Sequence, residues 1–103
     1  MPDVGHGEVW WVDLGQVRPV VVLTRRRVAA RLSRLVVAPV TTIVRGIATE
    51  VALGEDEGVK PGCVASLDHV QLVPADALLR RAGVVAPARW PEFCQAMAAV
   101  MAC

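Results

Sequence analysis

The chain has 103 residues, which suits a single domain spanning 1–103 with room for one modest core. It is 54% hydrophobic, rich in Val, Ala and Leu, with a single Phe, no Tyr and a formal net charge of +1, a composition that excludes a disordered chain. No apolar run approaches the roughly 20 residues of a membrane helix, and the opening MPDVGHGEVW carries an acid where a signal peptide needs positive charge, so a cytoplasmic protein without a membrane partner is expected.

Residues 8–14, EVWWVDL, predict a first strand, with Glu8, Trp10, Val12 and Leu14 on one face and Val9, Trp11 and Asp13 on the other. Gly15 and Gln16 make a tight connection to a second strand, RPVVVLTR at 18–25, and the two are close enough to pair as a hairpin. Pro19 has no N–H to donate, so it belongs at the beginning of that strand or on an edge. RRRVAARLSR, 25–34, fits one amphipathic helical turn or a loop, and the mutual repulsion of three successive arginines favours the loop. A third strand covers 35–42, where Pro39 argues for an edge position or a bulge that bends the strand. IATEVAL, 47–53, alternates as a strand, with Ile47, Thr49, Val51 and Leu53 sharing a face. GEDEGVKPG is a polar turn, and CVASLDHVQLV, 63–73, is the longest strand candidate, bending near Asp68.

PADALLRRAG, 74–83, predicts a short helix ending near Gly83. Beyond it Trp90, Phe93, Cys94, Met97, Val100 and Met101 recur three or four residues apart, and Pro91 suits a first helical turn. That stripe packs a C-terminal helix on the sheet as core. Five or so short strands followed by a helix make a mainly β protein: a small, strongly bent β-barrel with a short helix and a C-terminal α-helix.

The small net charge hides an asymmetry. Arg18, Arg25, Arg26, Arg27, Arg31, Arg34 and Arg45 fall in a stretch without acids, whereas 46–78 holds six acids against Lys60 alone. Segregation of this kind predicts a basic surface that meets an anion, and the arginine fork can hold a phosphate bidentately. Cys63, Cys94 and Cys103 are odd in number and form no C-x-x-C pair, and only His6 and His69 are present, so neither a metal site nor a cofactor is expected. No Ser-His-Asp set, paired catalytic carboxylates or phosphate-binding glycine loop is visible. The candidate reactive groups are Arg18, opening the second strand, and Thr41, Thr42 and Arg45, ending the third. On a regular strand Thr41 and Thr42 point to opposite faces, so only one shares a site with Arg18; alternation does not say which.

GEVWWVDL, RPVVVLTR, VVAPVTTIVRG and GCVASLDHVQLV, in this order and at these separations, resemble the MazF/PemK family of bacterial toxin endoribonucleases from about Gly7 to about Gly83. The resemblance implies an SH3-like barrel, a homodimer, sequence-specific cleavage of single-stranded RNA without metal, and neutralisation by a cognate antitoxin with an acidic, disordered segment. It puts the catalytic arginine on Arg18 and the catalytic threonine on Thr41. Many members carry a long loop between the first two strands that covers the RNA; here only Gly15, Gln16 and Val17 separate Leu14 from Arg18, so those contacts do not transfer.

Attack of a ribose 2′-OH on the adjacent phosphate gathers negative charge on its non-bridging oxygens. An arginine fork and a hydroxyl donor at fixed positions stabilise that charge more than the ground state. Arg18 is expected to act electrostatically, since a guanidinium with a pKa above about 12 is a poor base. Gln16, Thr42, Arg45 and Arg25, Arg26 and Arg27 are the expected RNA contacts, with Asp68 and His69 as base readers. Trp10 and Trp11 are further candidates for reading bases, but the favoured expectation for them is core on one side and a dimer partner on the other. A related barrel that inhibits a protein such as DNA gyrase, or a non-catalytic SH3-like module, gives no reason for the Arg18-Pro19 and Thr41 combination.

Overall fold

A computed structural model describes residues 4–102. Met1 to Asp3 of the acidic opening and Cys103 lie outside the described residues. Strands β1 (Glu8–Asp13), β2 (Val17–Val22), β3 (Arg34–Thr41), β4 (Glu50–Leu53), β5 (Cys63–Ser66), β6 (Gln71–Pro74) and β7 (Leu78–Val84) form an antiparallel sheet, with a one-turn helix α1 (Arg26–Ala29) and a C-terminal helix α2 (Trp90–Met101). The order across the sheet is β4-β5-β3-β2-β1-β7, and β6 also pairs with β3.

The first three strands bury both faces, which is why their sequences read as continuous apolar runs. Val9, Val21, Ala38 and Val40 point into one cluster, closed by Phe93 and Ala96 of α2. Trp10, Val12, Val20, Val22, Leu35 and Val37 point into a second, closed by Ala29, Val73 and Leu78. Within α2, Phe93 and Ala96 are buried and Trp90, Met97 and Val100 pack partly against the first cluster, whereas Cys94 and Met101 are exposed. The expected helical stripe is therefore narrower, with Ala96 in it.

Glu8 explains the E-x-W opening. Residues 8 and 10 share a strand face, and the buried Glu8 carboxylate accepts from Trp10 Nε1 at 2.9 Å and from Arg26 Nη2 at 2.5 Å. The ion pair also corrects the expectation of a loop at 25–34. Repulsion among the three arginines is relieved because one of them is neutralised, and Ala29 anchors the resulting turn in the core.

Pro39 is not on an edge strand. β3 pairs with β2 on one side; on the other it pairs with β6 through Val37 and with β5 from Val40. Pro39 falls in the gap between those two ladders, where a missing N–H forfeits little. The 63–73 segment bends where expected, but as a 3-10 turn at Leu67–His69 that splits it into β5 and β6.

Two further expectations are corrected. The 47–53 strand begins only at Glu50, and Ile47 is exposed in the preceding loop. Residues 78–84 are a strand, not a helix, because they pair with the outer edge of β1; tertiary pairing overrides the local helix preference of ALLRRA. Beside that strand two backbones cross closely. A Cβ on Gly58, whose φ is +81°, would meet the Ala82 carbonyl oxygen at 2.1 Å, and one on Gly83 would meet that of Glu57 at 2.4 Å.

Candidate phosphate-binding site

Arg18 is the second residue of β2, and Thr41 ends β3. Their ladder pairs Val20 with Pro39, and the same register carried outward sets Arg18 opposite Thr41. Both line one hollow of about 330 Å³, together with Trp11, Thr42, Lys60 and Cys63. The Arg18 guanidinium is oriented from outside the hollow: its Nη2 donates to Gln16 Oε1 at 2.6 Å. Thr41 Oγ1 accepts the backbone N–H of Ile43 at 3.1 Å. That bond uses an oxygen lone pair, so the hydroxyl hydrogen remains available to a ligand.

Thr42 does not follow the expected alternation. The strand stops at Thr41, so the period of two no longer applies at Thr42, and both threonines line the hollow. Trp11 forms part of the wall, and the Arg80 guanidinium lies 5.5 Å from its ring centroid. Lys60 brings a second cation from the turn between β4 and β5. Its signal in the sequence was its isolation as the one base among the acids of 46–78.

The loop after Thr41 is tied down by Glu50. Its carboxylate accepts the N–H groups of Arg45 at 3.1 Å, Gly46 at 2.8 Å and Ile47 at 3.4 Å. Desolvation raises the pKa of this carboxyl, but the three N–H donors and the nearby Arg45 charge outweigh it and hold the group below its ordinary value.

The other expected contacts lie apart. From Arg18 to Val22, β2 covers roughly 13 Å of strand before the chain reaches Arg25, Arg26 and Arg27. Arg26 is paired with Glu8 there. Asp68 accepts from the Thr49 hydroxyl at 2.5 Å and His69 Nδ1 contacts Ser66 Oγ at 2.7 Å, so both side chains secure the turn between β5 and β6. Arg45 belongs to the loop held by Glu50, outside the lining of the hollow. A larger cavity, about 570 Å³, is lined by Glu55, Asp56 and Glu57 with Arg89. Its acidic wall disfavours a phosphate, whereas the hollow at Arg18 brings two cations, Arg18 and Lys60, together without an acid in its lining. Among the described residues no helix is long and apolar enough to cross a membrane.

An antiparallel sheet that presents an arginine and a threonine from adjacent strand ends, with a helix packed behind, places the chain in a known class. It belongs to the family of PemK-like, MazF-like toxins of type II toxin-antitoxin systems, whose profile matches residues 6–101. It is 41% identical over 102 residues to "Probable endoribonuclease MazF5" of Mycobacterium tuberculosis, covering 95% of this chain and 93% of that protein. Its fold matches Mycobacterium tuberculosis toxin MazF-mt6 with a TM-score of 0.88 and 34% identity, over 92% of this chain and 96% of the other. It also matches an endoribonuclease from a mycobacterial species solved in complex with its cognate antitoxin, with a TM-score of 0.86 and 24% identity over 96% and 95% of the two chains.

Proposed function

We propose that this toxin is a sequence-specific, metal-independent endoribonuclease that cleaves single-stranded RNA at a phosphate held between Arg18 and Thr41. The observation that carries the reading is their convergence: a fixed guanidinium and a hydroxyl with a free hydrogen, drawn from opposed strand ends into one hollow. The 2′-oxygen attacks phosphorus and loses its proton, the P–O5′ bond breaks, and the 5′-oxygen takes up a proton. The products are a 2′,3′-cyclic phosphate and a 5′-OH. Arg18 and Thr41 donate hydrogen bonds to the non-bridging oxygens as charge develops there. Lys60 adds positive potential and Trp11 offers a face to an unstacked base. Cleavage of messenger RNA halts translation and growth.

In this reading residues 1–103 form one domain, and the bent sheet is a small SH3-like barrel. The contact of Gly58, in the turn after β4, with β7 supports that, because β4 and β7 end the strand order. The toxin acts as a homodimer in the cytoplasm. A cognate antitoxin inhibits it with an acidic, disordered segment that orders on binding and competes with RNA. Purified protein incubated with a long RNA in EDTA should yield new 5′ ends at a recurring motif, and Arg18→Ala should abolish them. Wild-type protein that leaves the RNA intact, or cleavage that needs a divalent metal, would refute the proposal.

A further inference from the structure

Arg18 borders a second hollow, of about 480 Å³, lined by Leu14, Gly15, Gln16, Pro39 and Gln71. Apart from Arg18 the two hollows have no lining residue in common. A phosphate bound at Arg18 therefore has one flanking nucleoside directed to the side of Trp11 and Thr42 and the other to the side of Gln16 and Gln71. The second side has the makings of a base site. Leu14 is 45% exposed there, and with Pro39 it offers an apolar surface to the face of a ring. Gln16 Oε1 is taken by Arg18, which leaves the Gln16 amide hydrogens to donate. Among the described residues no hydrogen bond engages the Gln71 amide, so it presents a donor and an acceptor side by side. That pairing matches a base edge, as glutamine does when it binds adenine bidentately. The hollow has one cation and otherwise neutral groups, which suits a nucleobase better than an acidic peptide.

We propose that this hollow is the subsite for one of the two nucleotides flanking the scissile phosphate, and that Gln71 is a specificity-determining residue there. The inference rests on the endoribonuclease reading and deepens it. The β6 backbone pairs Gln71 with Val37 whatever the side chain, and that side chain is exposed, so Gln71→Leu and Gln71→Ala should fold.

The test sequences the 5′ ends that wild type, Gln71→Leu and Gln71→Ala generate from one long RNA in EDTA, with cleavage rates at individual sites and thermal melts of each protein. Wild type should prefer one base immediately beside the cut. Both variants should lose about tenfold in rate at sites carrying that base, the scale of one bidentate base contact, and cleave the other sites at unchanged rates. A retained preference at both flanking positions, or an equal fall at every site, would overturn the assignment of Gln71 while leaving the endoribonuclease reading intact. No cleavage by wild type would sink both.

Discussion

Replacing Thr41 by Val removes one hydroxyl and leaves the outline of β3 almost unchanged. Two interactions go with it. The Ile43 N–H loses its acceptor, but it is exposed and water replaces the bond, so the stability cost is about 0.5–1 kcal/mol. The phosphate loses a preorganised donor, a loss on the order of 3 kcal/mol in the transition state, or about 10²-fold in rate. The effect should appear almost wholly in the chemical step. Single-turnover cleavage at saturating enzyme isolates that step, and thermal melting checks the fold. Arg18→Ala should lower the same rate by about 10²-fold or more. The double variant should fall by less than the product of the two, since both groups serve one transition state. Thr42→Ala is a demanding comparison because Thr42 lines the same hollow; it should weaken RNA binding and leave the single-turnover rate within a few fold. Full activity in folded Arg18→Ala would refute the mechanism, and damage from Thr42→Ala equal to that from Thr41→Val would mean the catalytic hydroxyl had been misassigned.

Three other outcomes follow from the geometry. With a short non-cleavable RNA, Lys60→Ala should reduce the salt dependence of binding by about 0.7 in the log–log slope, one phosphate contact, whereas changing Arg25 and Arg27 to Ala should leave it unaltered; equilibrium titrations across salt concentrations decide between them. Gly58→Ala should cost about 3 kcal/mol or more, because it combines a positive φ with a backbone clash, while Gly62→Ala, at a φ of +83° with no atom within 4 Å of the new Cβ, should cost only about 1 kcal/mol; chemical denaturation measures both. Glu50 has a folded pKa below its ordinary value of 4.5, so the stability it lends the 42–49 loop is complete above 4.5 and is lost as pH falls through the lower folded value; amide exchange of Arg45, Gly46 and Ile47 should accelerate there, and Glu50→Gln should remove most of that pH dependence.

That Arg18 lies near the Thr41–Thr42 end of the third strand was legible because it needs only two neighbouring antiparallel strands, but the choice of Thr41 over Thr42 came from the family resemblance and not from strand alternation. The C-terminal helix was legible for a similar reason: its period is a local property. What escaped depended on partners far along the chain. ALLRRA prefers a helix until β1, about seventy residues earlier, supplies an unpaired edge. The arginine run at 25–27 repels itself until Glu8 reaches across to Arg26. Lys60 joins the hollow because the β4–β5 connection returns beneath Thr41, which no local pattern encodes. Thr42 was misplaced by a single residue, since alternation gives no warning of where a strand stops.

The two side chains assigned to the chemistry, and Gln71 of β6, stand on paired strands, whereas Gln16, Thr42 and Lys60 stand on the connections that rim them. This separation makes the protein modular under selection. Connections can drift, lengthen or be exchanged between relatives, altering which RNA is chosen while the bond-breaking groups stay in register. The loop after Thr41 is the exception, because Glu50 holds it by hydrogen bonds from three backbone N–H groups. A replacement loop can therefore carry almost any residues at 45 and 47 except proline, with glycine favoured at 46, where φ is +70°, provided its backbone still turns its N–H groups toward that carboxylate.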